Sequence, residues 1–171
     1  MVILPGSVNK RKEPNKMADY KKIPQLEVEN ARLIFRNFSA KPDKFNAKGG
    51  VRKFGVIINP DLVDSLREEG WAIKELPPKE DGGDSLYYLS VKVQYGEYRS
   101  PNVYLITNGK KTLLEEGSIA SLDYAELVNV DLVISPHYWE VNGKSGINAY
   151  LKTGYFEIIT DSFASKYEDL C

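Results

Sequence analysis

His137 and Cys171 are the only histidine and the only cysteine in 171 residues. Zinc sets built from His and Cys, and a Cys–His nucleophile pair, both need more than this or a partnership that a terminal cysteine does not offer. No glycine-rich phosphate loop of the form G-x-x-x-x-G-K-[ST] or G-x-G-x-x-G occurs, and neither G-x-S-x-G nor H-E-x-x-H is present. The acid pairs Glu68-Glu69 and Glu115-Glu116 could hold Mg²⁺ through carboxylates, but adjacent acids on helices or loops read as solvated surface. No catalytic residue, metal or cofactor is expected.

The aromatic residues carry more information. Eleven Tyr, six Phe and two Trp are present, and tyrosine suits a surface because its ring offers a π-face on which any base can stack while neighbouring Lys and Arg neutralise phosphates. Several segments alternate so that the face opposite the core mixes the two kinds: Tyr88 with Lys92, Tyr150 with Asn148 and Lys152, Arg36 with Phe38. The expected phosphate contacts are Arg32, Arg36, Lys44, Arg52, Lys53, Lys92, Lys144 and Lys152, and the expected stacking rings are Phe45, Tyr88, Tyr138, Trp139 and Tyr150. The segment Lys41 to Gly50 interleaves charge, one aromatic and glycine, as a clamp over a strand requires.

Net charge is −1, which excludes a generic polycation, but its distribution is uneven. Arg32 to Lys53 holds seven basic residues and one acid, Asp43; Leu113 to Asp131 holds five acids and no base. One surface is expected to meet anions and another to repel them.

The elements that must position these groups read mainly as strands. Val28–Phe38 alternates, with Ala31, Leu33 and Phe35 opposed to Arg32, Ile34 and Arg36, and predicts one long strand. Ser39 to Gly50 reads as a loop and Val51–Ile58 as a second strand. Asn59-Pro60-Asp61 before Leu62 and Leu66, closed by Gly70, predicts a short helix. Strands are expected over 71–76, 86–95 and 102–107, with a helical piece over 118–128. Val130–Val141 and Ile147–Ile159 flank Asn142-Gly143, the strongest short hairpin signal. Five or more strands without alternating strand–helix units predict a mainly β, antiparallel small barrel or sandwich. No apolar run approaches a membrane span, and a lone cysteine needs no oxidising compartment, so a cytoplasmic protein is expected.

The stretches Ala31-Arg32-Leu33-Ile34-Phe35-Arg36-Asn37-Phe38, Lys44-Phe45-Asn46 through Gly50-Val51-Arg52-Lys53-Phe54, Gly70-Trp71, and Trp139-Glu140-Val141-Asn142-Gly143-Lys144-Ser145-Gly146 with Ala149-Tyr150 resemble phage and prophage single-stranded DNA-binding proteins with an OB fold. The resemblance implies an elaborated OB barrel with one or two short helices, serving phage DNA replication or recombination in the host cytoplasm. It places residues 39–50 between strands 1 and 2 and residues 142–146 between strands 4 and 5, flanking the binding groove. The helix after the second strand departs from the usual OB position between strands 3 and 4. The C-terminus is only mildly acidic, where many such proteins end in a dense acidic tail.

The expected organisation is a disordered basic arm over 1–22, an OB-fold single-stranded DNA-binding domain over 23–160 and an acidic tail over 161–171 that recruits replication or recombination proteins. Two rival readings stand beside it. A phage structural or protein-interaction barrel would expose an apolar face instead of a basic one, and a metal-dependent nuclease would gather three or more carboxylates in one cleft.

Overall fold

The structure, a computed structural model, describes residues 23–44, 47–96 and 100–159. The expected arm, Phe45 and the acidic tail lie outside the described residues.

Asn142 (φ 52°) and Gly143 (φ 81°) both take the left-handed conformation, the pairing whose twist matches that of the flanking strands. They join β8 (Leu127–Val141) to β9 (Lys144–Ile158) in a long antiparallel pair. The outer edge of β8 takes β1 (Leu26–Val28). The other edge of β9 is shared along its length: Trp71 bridges Ile147, then β5 (Leu86–Lys92) runs parallel through Val91↔Ala149 and Lys92↔Tyr150. Beyond that, β6 (Asn102–Thr107) runs parallel from Asn102↔Thr153 to Ile106↔Glu157. β5 pairs antiparallel with β3 (Lys53–Ile58) and with β4 (Ile73–Leu76), and β3 pairs with β2 (Leu33–Asn37). β7 (Lys110–Leu114), absent from the sequence expectations, pairs with β6 around a second Asn-Gly turn, Asn108-Gly109, at φ 51° and 78°.

The path β1-β8-β9-β5-β3-β2 begins and ends on consecutive pieces of chain. Its hydrogen bonding does not close into a ring; residues 29–32 span the ends. Ala31 N donates to Val130 O on one side, and Arg32 O accepts from Ile57 N on the other. The expected single strand Val28–Phe38 is therefore two. Asn30 at φ 51° turns the chain from β8 to β3, and asparagine tolerates that conformation better than most residues.

Phe38 is fully buried at the middle of the core, stacked on Phe54 at 5.2 Å and edge-on to Phe156 at 5.7 Å. This corrects the expected exposed Arg36–Phe38 pair. Phe54, Val56, Leu89, Val91, Ile134, Ile147, Ala149 and Leu151 alternate inward around it. The expected helical piece over 118–128 is a 3-10 turn, Ile119–Asp123, which buries Ile119 and Leu122 before β8 starts.

The helix α1 (Pro60–Glu69) follows β3 as its sequence signals predict. Asn59 Oδ1 accepts from Asp61 N at 2.9 Å, and Gly70 (φ 111°) closes it while its N–H donates to Arg67 O. Val63 and Leu66 anchor it, each contributing about 1.5–3 kcal/mol by leaving water.

Candidate nucleic-acid interface

Strand registers fix which side chains share the outward face of β2, β3, β5, β9 and β8, because the intervening positions Phe54, Val56, Leu89, Val91, Ile147 and Ala149 are buried. One row runs from Arg32 past Ile57 to Tyr88 and Lys74. The next runs from Ile34 across Gly55 to Ser90. A third runs from Asn37 through Lys53, Lys92 and Tyr150 to Ser135. The hairpin carries the face onward through His137↔Asn148, Trp139↔Gly146 and Val141↔Lys144. Lys152 is exposed at the bulge where the β8–β9 register skips from Thr153 to Leu151.

Two glycines let the rings lie close to the sheet. A Cβ at Gly55 would stand 2.9 Å from Ile34 Cγ1 and 3.2 Å from Tyr88 Cδ2, and one at Gly146 would stand 3.1 Å from the Trp139 indole. Phe35 meets Tyr88 with centroids 5.5 Å apart at 70°, and His137 meets Tyr150 at 5.7 Å and 89°. The result is a surface on which cations and aromatic rings share the same rows.

Of the residues expected from sequence, Arg32, Lys53, Tyr88, Lys92, Trp139, Lys144, Tyr150 and Lys152 come together here. Lys53 also pairs with Asp43 at 3.4 Å. Tyr138 pairs with buried Ile147 on the inward register, and its hydroxyl is buried; neighbours on a strand cannot both face outward, so Trp139 and Tyr138 part company. Lys44 is exposed in the loop after β2. Arg52 is tied down: Nε donates to Phe38 O at 3.1 Å, Nη1 to Glu116 Oε2 at 3.1 Å, and the guanidinium lies 5.8 Å over Tyr95. Burial pushes the Tyr95 phenol pKa up.

Arg36 Nη1 donates to Leu122 O at 2.9 Å and to Ala125 O at 2.8 Å, satisfying the carbonyls that leave the 3-10 turn. Arg36→Ala is expected to cost about 2–3 kcal/mol, as charged donors to carbonyls do, and to lower the melting temperature by about 5–10 °C. Calorimetry checks this, and an unchanged melting temperature would show that the guanidinium is not holding the turn.

The acidic stretch is also used internally. Asp123 accepts from Phe38 N, Ser39 N and Ser39 Oγ; Asp131 accepts from Asn30 N and Asn129 Nδ2; and Glu116 holds Arg52. These carboxylates pin loops as well as adding charge. Lys41 donates to the Tyr124 hydroxyl, a hydrogen bond that raises the lysine pKa and draws the loop after β2 toward the turn.

Sequence reasoning missed Phe35, His137 and Lys74. Period-two counting from Trp139 would have found His137. Phe35 was hidden by a bulge that alternation cannot foresee. Among the described residues no group of three or more His, Cys, Asp or Glu is placed to hold a metal ion, and no helix is long and apolar enough to cross a membrane.

A family model described as "Putative phage ssDNA-binding domain" matches residues 16–171. The chain belongs to this phage ssDNA-binding family. Among solved structures, the family member resembles the single-stranded DNA-binding protein from bacteriophage Enc34 in complex with ssDNA. The TM-score is 0.52 and the identity 17%, over 81% of this chain and 89% of that one. A second structure of the Enc34 protein gives a TM-score of 0.50 at 16% identity, over 81% and 83%. No curated protein matches. At these identities the likeness shows the fold, an OB-type barrel elaborated by α1 and by the β6–β7 hairpin.

Proposed function

We propose that this phage ssDNA-binding family member holds a single DNA strand along the outward face of β2, β3, β5, β9 and β8, and that it does so without catalysis. One observation carries the reading: rings and cations share the same rows of one face, with Tyr150 beside Lys92 and Lys53 in register, and Tyr88 beside Lys74. A single strand offers bases and phosphates at similar spacing, so stacking and charge neutralisation act together on it, whereas a duplex hides its bases. The phosphate contacts are Arg32, Lys53, Lys92, Lys144 and Lys152, and the stacking rings are Tyr88, Trp139 and Tyr150. That the Enc34 protein was solved with ssDNA supports the reading. The cellular role is protection and presentation of single strands during phage DNA replication or recombination in the host cytoplasm, with partner proteins recruited through residues 161–171.

Fluorescence titration with labelled oligo-dT and a duplex of equal length, at two salt concentrations, tests this. Single strands are expected to bind well above duplex, with log K falling linearly in log salt. Equal affinity for both, or no salt dependence, would overturn it.

A further inference from the structure

We propose that the left-handed backbone at Phe35 exists to turn its ring outward, so that Phe35 and Tyr88 form a two-walled seat for one nucleobase of any type. The inference rests on the reading of the face given above and adds to it a residue and a cost.

Counting alternate positions from Leu33 would place Phe35 inward. The register instead skips from Ile34↔Gly55 to Asn37↔Lys53, and inside that bulge Phe35 sits at φ 53°. A residue with a bulky side chain rarely adopts this conformation, because its Cβ crowds the following carbonyl. The strain is not repaid by burial, since the ring is 59% exposed. An unfavourable backbone that delivers an apolar ring into water costs the free protein twice. Strain of this kind persists where a bound state uses it.

What the ring meets supports a base as the occupant. Tyr88 lies 5.5 Å away at 70°, so the two rings form a corner. A flat base with its face on one ring turns its edge toward the other, and both contacts are favourable for aromatic groups. Gly55 lies below, and a Cβ there would press on both Ile34 and Tyr88. Arg32, opposite Ile57 in the same row as Tyr88, supplies a cation at the rim for the phosphate of that nucleotide.

Three variants test the seat: Phe35→Gly, Phe35→Ala and Phe35→Trp, each titrated with labelled oligo-dT at two salt concentrations and melted without DNA. Gly and Ala are expected to weaken binding by about 5- to 100-fold with an unchanged salt slope, because a stack is lost and no charge is. Trp is expected to keep affinity within about threefold of the parent, since it restores a stacking ring. Because a left-handed backbone penalises alanine and not glycine, the Gly variant is expected to melt above the Ala variant, the reverse of the order in an ordinary strand. A parent that binds while the Gly variant binds equally well would overturn the seat and leave the face intact. An Ala variant melting above the Gly variant would overturn the strained bulge. A parent with no affinity for oligo-dT would overturn the reading of the whole face, and the seat with it.

Discussion

Replacing Lys53, Lys92, Lys144 and Lys152 together with Ala is expected to cut affinity for single strands about 100-fold at 0.15 M salt while the protein still folds. Each neutralised phosphate on a single strand contributes about 0.7 to the slope of log K against log salt, so four lost contacts flatten the slope by about 3. At that salt, a slope change of this size corresponds to about two orders of magnitude. Folding is expected to survive because Lys92, Lys144 and Lys152 are exposed. The Lys53–Asp43 pair at the surface contributes at most about 1 kcal/mol. Titration across a salt series checks both numbers. A loss of affinity with an unchanged slope would mean that the lysines act through structure and not as counter-charges.

The second large effect separates stacking from charge. Trp139→Ala and Tyr150→Ala are each expected to weaken binding by about 5- to 100-fold, the range for one lost base stack, and to leave the salt slope where it was. Tyr150→Phe keeps the ring and is expected to keep the affinity. The Trp139 indole rests on Gly146 and Tyr150 meets His137, so each ring is held by contacts that do not depend on DNA. A slope that falls with either ring would show that the substitution displaced neighbouring lysines. In that case the two contributions could not be treated as independent.

Local signals with a mechanism were legible in the sequence. Asn59, Pro60 and Gly70 marked α1, and Asn142-Gly143 marked the β8–β9 turn, because caps and tight turns are decided within a few residues. Asn108-Gly109 carries the same turn signal, but β7 after it shows no alternation, being exposed from Lys110 to Leu113 and buried only at Leu114, so the strand itself is not legible. The break between β1 and β2 was not legible, since it depends on which of two distant strands, β8 or β3, each half can reach. The period-two alternation of β5 and β9 was legible as well, and it is what turns Tyr88, Lys92 and Tyr150 to one face. The internal bonds of Arg36 and Arg52 were not legible, because a cation beside a positive loop reads alike whether it meets phosphate or a protein carbonyl. Only tertiary structure supplies the carbonyls of Leu122, Ala125 and Phe38 that hold them.

The position of the strand is tested most directly by photocrosslinking an iodouracil-substituted oligo-dT to the protein and identifying the linked residues by mass spectrometry. Crosslinks are expected at Tyr88, His137, Trp139 and Tyr150, which line one face. The pair of half-buried Tyr104 and exposed Tyr155, stacked at 5.2 Å on β6 and the far half of β9, is an internal control of equal chemistry. Crosslinks concentrated on Tyr104 and Tyr155, with none on β5 or the β8–β9 hairpin, would contradict the account.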